Sequence, residues 1–292
     1  MSAVAARDAT QTTIVNMPGK GAREPFPGMF SLPKGAQRHT QTTDSMNLIT
    51  FSTLPSTNRY LESLDLSGVE EFTVVWAQEQ TAGVGQRGNR WESQRDANLT
   101  FSVVLHPTFL PVADQYMLTK VLSLALVDWV AATLDKVTGL PSISIKWPND
   151  IYIGLRKVCG ILVSHRVRGG QLSDTICGIG ININQRQFPS WLPNPTSMAL
   201  ALGGDLPLRP SLEGIVDCMA TRYRQLHDGQ RSLLDDEYEA NLLRRNEWAD
   251  YIVRGQRMRA KIVGVTRLGH LQLELDDGTS AEVELKELQF LF

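Results

Sequence analysis

The chain is poor in cysteine, modest in aromatic residues and nearly balanced in charge, and each shortage removes a class of protein. Its three cysteines, Cys159, Cys177 and Cys218, stand far apart, with no C-x-x-C pair and no metal-ligand spacing. An odd, scattered set is no disulfide framework, and a reducing, cytoplasmic setting is expected. Lys and Arg number 29 against 31 Asp and Glu, for a formal net charge of −2. Nothing global therefore marks a nucleic-acid or membrane-surface protein. No apolar run reaches the ~18 residues of a membrane span. The densest, VLSLALVDWVAA at 121–132, carries Asp128 and reads as a buried helix. Residues 1–45 are rich in Thr, Ser, Gly and Pro, lack hydrophobic periodicity, and are expected to form an unstructured, dispensable tail. That stretch has no secretory h-region and no helix pair for a helix-turn-helix, so specific DNA binding is not expected.

What remains is an ordinary globular composition: 292 residues, 42% hydrophobic and 21% charged, enough for two domains. Strands are expected at 47–54, 72–80, 98–105 and 143–147, with a helix from the Ser56-Thr57-Asn58 cap to about Leu66 and a long helix over 115–135. A hairpin around Gly154 and a strand over 172–184 follow, then a loop, FPSWLPNP, at 188–195, and amphipathic helices over 210–227 and 231–245. From Asp250 the pattern becomes short strands separated by RLG and DDG turns. The expected fold is α+β: a mixed or antiparallel sheet with packed helices over 46–249, and a small β-barrel over 250–292.

Three stretches carry chemistry. GVGQRGNRW at 83–91 satisfies G-x-G-x-x-G through Gly83, Gly85 and Gly88. A dinucleotide-binding turn needs a helix opening at the glycines and an acid about twenty residues later. NRWESQRDAN supplies no such helix, and Val103 to Pro107 contain no acid, so that reading is rejected. A glycine-rich loop with Arg87, Arg90 and Arg95 around Trp91 is either a phosphate-binding loop or a solvated surface loop. In IKWPNDIYIGLRKVCGILVS at 145–164, Lys146, Asn149, Asp150 and Lys157 are either ordinary turn and edge residues or groups facing one pocket. GIGININ at 178–184 is either a core strand with tolerated glycines or a floor where a ligand approaches the backbone.

Taken together and in order, these stretches resemble the biotin–protein ligases over roughly 47–292. PSTN at 55–58 is similar to the family's D-S-T-N, and QTAGVGQRGNRW at 80–91 to its Q-T-A-G-R-G-R-x-G-x-x-W loop. KWPND at 146–150 is identical to the family motif, RKVCGIL at 156–162 is similar to R-K-x-x-G-I-L, and GIGININ matches the G-I-G-I-N strand. The resemblance implies a catalytic domain like those of class II aminoacyl-tRNA synthetases and biotin ligases, with an SH3-like C-terminal barrel. It implies an enzyme that makes biotinyl-5′-AMP from biotin and ATP with Mg²⁺, then passes biotin to a lysine of a carboxylase's biotin carboxyl carrier domain. A homodimer is compatible with it; no nucleic-acid or membrane partner is implied.

By the same resemblance, Ser56, Thr57, Asn58 and Gln80 meet the ureido ring of biotin, and hydroxyls and amides do supply the matched donors and acceptors a urea needs. Gly83, Gly85 and Gln86 fold over the valerate and phosphate. Lys157 and Arg87 act on the charge that develops during attack on the phosphate. Trp91, Lys146, Asn149 and Asp150 lie on the adenylate side, with Mg²⁺ near Asp150 and no dedicated metal site. The sequence departs from the pattern at Val84 and Gln86, where the family carries arginine. Arg87 or Arg90 is then left to reach the same oxygens. A lipoate ligase of related fold and a non-catalytic biotin or nucleotide binder are the alternatives.

Overall fold

The computed structural model describes residues 46–292, the Arg87 side chain excepted, and the backbone of two short strands before them. These are β1 (Thr12–Val15) and β2 (Gln37–Arg38). The expectation of an unstructured 1–45 otherwise lies outside the described residues.

β3 (Asn47–Phe51), α1 (Thr57–Glu62), β4 (Thr73–Ala77), β5 (Leu99–Leu105) and the long helix α2 (Tyr116–Leu134) come first. β6 (Ile143–Lys146), β7 (Asp150–Ile153), β8 (Arg156–Arg168) and β9 (Gln171–Ile181) then run as successive antiparallel hairpins. Helices α3 (Met198–Leu202), α4 (Leu208–His227) and α5 (Arg231–Ala240) precede β10 (Trp248–Val253), β11 (Gln256–Val265), β12 (Leu271–Leu275), β13 (Ser280–Val283) and β14 (Leu288–Phe290). The first nine strands form one sheet in the order β2-β1-β3-β4-β5-β9-β8-β7-β6. Its β1–β2 and β3–β4 pairs are parallel and the rest antiparallel, so the sheet is mixed, as expected. The last five strands make a separate antiparallel sheet, the small barrel-like unit anticipated at the C-terminus.

Three helical expectations change: α1 ends at Glu62 with Ser63 as its cap, short of Leu66. α3 was not anticipated, although Ser197 caps it through Leu200 N–H and Gly203 ends it at φ 80°. α5 stops at Ala240 rather than 245 because the following segment pairs with the sheet edge: Ile145 N–H donates to Asn241 O and Leu243 N–H to Ile145 O. Tertiary pairing overrides helical pattern there.

The central strands explain where a site can form. In β5 and β9 the odd-numbered residues Leu99, Phe101, Val103, Cys177, Ile179 and Ile181 join the core beneath α2 and α4. Side chains alternate across a sheet, so Ser102, Gly178 and Gly180 face the other way. α1 covers part of that second face with a smaller core of Phe51, Leu61, Val75, Val104 and Ile176. The rest of the face is left to the site. α2 is long and apolar enough to cross a membrane, yet most of it is buried as the helix beneath the sheet.

The C-terminal sheet is tied directly to the KWPND segment. Trp147 Nε1 donates to Gly269 O at 3.0 Å, and Lys146 Nζ sits 4.8 Å from the centre of the Phe290 ring. Tyr152 stacks on Phe292 at 5.9 Å, and Arg244 donates to Leu291 O. Buried Asp114 adds a further tie, accepting from Arg267 and from Arg231. The Arg267 hydrogen bond is the main reason the Asp114 carboxyl lies below its ordinary range, with Arg231 adding to it against the cost of burial. A depressed carboxyl contributes stability above the unfolded value that is lost as pH falls through the folded one. We therefore expect Asp114→Asn to destabilise the fold by about 1–3 kcal/mol near neutral pH. In urea titrations the gap from the parent should close as the pH drops below the usual carboxylate range. Equal midpoints at neutral pH would count against the tie.

Candidate active site

Strand register builds the floor of the site. Gly180 lies directly opposite both Gly160 and Thr100, and Gly178 opposite both Leu162 and Ser102. A Cβ on Gly180 would come 2.3 Å from the Trp91 ring, and one on Gly178 would come 2.1 Å from Asn58 Oδ1. The glycines therefore make two shallow seats, one for an indole and one for an amide. One reading of the GIGININ strand was a floor where a ligand approaches the backbone; Gly178 and Gly180 do line the site. What rests on its glycines is protein: Asn58 from α1 and Trp91 from the glycine-rich loop.

The α1 end of the cavity is a closed polar network. Ser102 Oγ donates to Asn58 Oδ1 at 2.5 Å, and Asn58 Nδ2 donates to Leu162 O at 3.3 Å. Thr57 Oγ1 lies 2.7 Å from Ser102 Oγ, and Thr57 N–H donates to Gln80 Oε1 at 2.7 Å. An amide oxygen cannot donate, so Ser102 spends its one proton on Asn58, while the Thr57 hydroxyl has both Ser102 Oγ at 2.7 Å and Gln80 Oε1 at 3.2 Å within reach of its own proton. The network fixes which way each group points. All of Ser56, Thr57, Asn58 and Ser102 are buried, so these orientations are held by packing as well.

The glycine-rich loop is a small hairpin. Val84 is bridged to Arg90, Gly85 N–H donates to Asn89 O, and Trp91 N–H donates to Gly83 O. A single 3-10 turn, Gln86–Gly88, forms its tip. Arg87 has its backbone in that turn, and its side chain is outside the described residues. The hairpin lays Trp91 over Gly160 and Gly180, beside Lys157, whose Nζ is 5.7 Å from the ring centre. Lys157 is also ion-paired with Asp150 at 2.6 Å.

These parts enclose one cavity of about 170 Å³, lined by Ser56, Thr57, Asn58, Gln80, Gly85, Gln86, Trp91, Asp150 and Lys157 among the expected residues. Gly83, Lys146 and Asn149 do not line it. Gly83 packs under Trp91 O, and buried Asn149 donates to Ile161 O, bracing β8. Lys146 lies between Tyr152 and Phe290, and burial pulls its ammonium below the ordinary range, against the opposing pull of Asp150.

Sequence reasoning missed Ser102 and a second cavity of about 310 Å³, which shares Asn89, Arg90, Trp91 and Lys157 with the first. Asn182, Phe188, Trp191, Leu192 and Pro195 also line it, mostly from the stretch read as a plain loop. The signal available was two aromatic residues among prolines in FPSWLPNP. Trp91 Nε1 and Asn182 Oδ1, a donor and an acceptor, are buried without partners. Six other buried side-chain polar atoms among the described residues share that condition, so it does not by itself mark the site.

Cys159 neighbours Lys157 in sequence but is fully buried. Burial pushes its thiol well above the ordinary range despite the lowering pull of Lys157, and Cys177 is raised likewise. Both are expected to resist iodoacetamide in the native protein, leaving Cys218, whose thiol burial also raises but which is only half-buried, as the accessible one. Peptide mass mapping after a timed alkylation checks this, and early modification of Cys159 would contradict it. No group of three or more His, Cys, Asp or Glu side chains suited to a metal occurs among the described residues.

The family model described as "Biotin/lipoate A/B protein ligase family" matches residues 50–182. Over 256 residues the chain is 30% identical to the bifunctional ligase/repressor BirA of Bacillus subtilis, covering 82% of this chain and 74% of that protein. It is also 30% identical, over 158 residues, to the biotin–[acetyl-CoA-carboxylase] ligase of Mycobacterium tuberculosis, covering 53% of this chain and 55% of that one. Among solved structures, the biotin protein ligase from Aquifex aeolicus in complex with biotin and ATP matches with a TM-score of 0.66 and 28% identity, covering 83% of this chain and 97% of that chain.

Proposed function

Because this chain belongs to the biotin–protein ligase family, we propose that it uses ATP to activate biotin and passes the biotinyl group to a lysine of a carboxylase's carrier domain. One observation carries the placement of the chemistry. A single cavity has a hydroxyl-and-amide network at one end and a lysine ammonium at the other. Biotin has the matching shape of polarity, with a urea ring at one end and a carboxylate at the other. The second cavity, with Trp91, Phe188 and Trp191 in its wall, suits the base of a nucleotide, which stacks on aromatic faces.

In the first step a carboxylate oxygen of biotin attacks the α-phosphorus of ATP, and the bond to pyrophosphate breaks. Two anions must meet, so fixed positive charge at the point of contact lowers the barrier. Lys157 has three donors. One serves Asp150 and the others remain for the carboxylate and the phosphate. In the second step the amine of the acceptor lysine attacks the acyl carbon, AMP leaves and the amine loses a proton. Trp91, seated over the glycines, walls the mixed anhydride from water.

Mg²⁺ is commonly held by one or two carboxylates together with substrate phosphates, and Asp150 is the carboxylate lining the first cavity among the described residues. When bound, the ion would neutralise phosphate charge. ATP–pyrophosphate exchange tests the reading: exchange should depend on biotin and be negligible with lipoate. Exchange that biotin fails to stimulate would sink it, and stimulation by lipoate instead would favour the related ligase.

A further inference from the structure

We propose that Arg90 holds the phosphate of the adenylate, reaching it from the strand opposite Val84; this rests on the ligase reading above. The two cavities meet at Asn89, Arg90, Trp91 and Lys157, which line both. A ligand filling both must place whatever joins its halves at that junction, and in an acyl-adenylate the joining group is an anionic phosphate. Among the described residues, Arg90 and Lys157 are the cations on either cavity wall.

The two differ in how far they are already committed. Lys157 is paired with Asp150 at 2.6 Å and is mostly buried. Arg90 is 67% exposed, lies 3.7 Å from Glu92, and has a 3.5 Å contact to Thr81 O as its hydrogen bond. Exposed pairs of that kind contribute little, so the guanidinium can turn to a phosphate at small cost. A planar fork of donors also matches phosphate oxygens better than an ammonium does.

Position matters as much as charge. Val84 and Arg90 are bridged as an antiparallel pair across the loop hairpin. Side chains directly opposed in such a pair have Cβ atoms only about 4.5–5.5 Å apart. An arginine on either strand can therefore serve the same point. The Val84 side chain contributes no donor to the wall it lines, and the side chain of its opposite number supplies several.

The test is single-turnover release of biotinyl-AMP from the full-length protein loaded with biotin and ATP. Arg90→Ala should speed release by about tenfold or more, the scale of one charged hydrogen bond. It should leave the Kd for biotin alone within about twofold, the ordinary range for an exposed substitution. Arg90→Lys should restore part of the retention, and moving the charge across the hairpin in V84R/R90A should restore part as well. Parental release from Arg90→Ala overturns the assignment. So does recovery in neither charge-bearing variant, or an equal loss of affinity for biotin alone. Parental protein that shows no biotin-dependent exchange would instead overturn the ligase reading beneath it.

Discussion

Lys157→Ala is expected to slow biotin-dependent pyrophosphate exchange by about 100- to 1,000-fold, the usual effect of deleting one preorganised group at a developing anion. Two effects add. The substitution removes the ammonium beneath Trp91, and it leaves the Asp150 carboxylate, now 2.6 Å from nothing cationic, facing two incoming anions. Removing one partner of a paired charge is costlier than removing both. K157A/D150N removes that repulsion together with the carboxylate placed for Mg²⁺, so it should recover affinity for biotin alone and not the exchange rate. The fold should survive, because the pair is partly exposed and the β7–β8 ladder does not depend on it. A folded Lys157→Ala protein exchanging at the parental rate would remove Lys157 from the mechanism. A double variant that binds biotin no better than the single would show that Asp150 does not act through repulsion.

The second large effect is expected from a single methyl group. In Gly178→Ala the new Cβ would lie 2.1 Å from Asn58 Oδ1, far inside contact distance. Asn58 must swing away, giving up its bonds to Ser102 and to Leu162 O. Those bonds hold the Asn58 amide in the pose offered to the ureido ring, and losing one amide contact to the ligand, worth about 0.5–1.5 kcal/mol, predicts a Kd for biotin raised by up to about tenfold. Gly180→Ala makes a contrasting case. Its Cβ would meet the Trp91 ring at 2.3 Å and leave Asn58 alone. That variant should bind biotin nearly normally but release the adenylate faster, because the indole can no longer lie flat over the junction. Calorimetry with biotin, alongside adenylate release, separates the two. Identical profiles for both variants would show that the floor acts as one unit.

Much of this was legible in the sequence, and what was not shares a cause. The mixed sheet, the long buried helix and the C-terminal strands follow from local periodicity, which a sequence displays directly. The polar end of the site was legible because Ser56, Thr57 and Asn58 are neighbours at the start of α1, with Ser56 its cap. Ser102 was hidden because its partners lie 44 and 45 positions away. The pairing of Gly160 with Gly180 depends on the register of β8 against β9, which no local pattern states. Lys146 looked like a site residue because it sits in KWPND, yet its neighbour Phe290 arrives from the far end of the chain. Val84 and Arg90 were legible as a loss and a charge, but only the hairpin makes them opposite one another.

The seating of Trp91 on the glycine floor gives the protein a built-in optical reporter. Of its six tryptophans, Trp76, Trp129 and Trp147 are buried, and none of these lines either cavity. Trp248 is on the C-terminal sheet, away from both. Trp91 and Trp191 alone border the ligand space. Ultraviolet emission that shifts when the cavities fill therefore comes from these two indoles, and replacing Trp191 with phenylalanine isolates the one over the junction. Occupancy of the junction can then be followed by stopped-flow fluorescence, without a dye and without a labelled substrate.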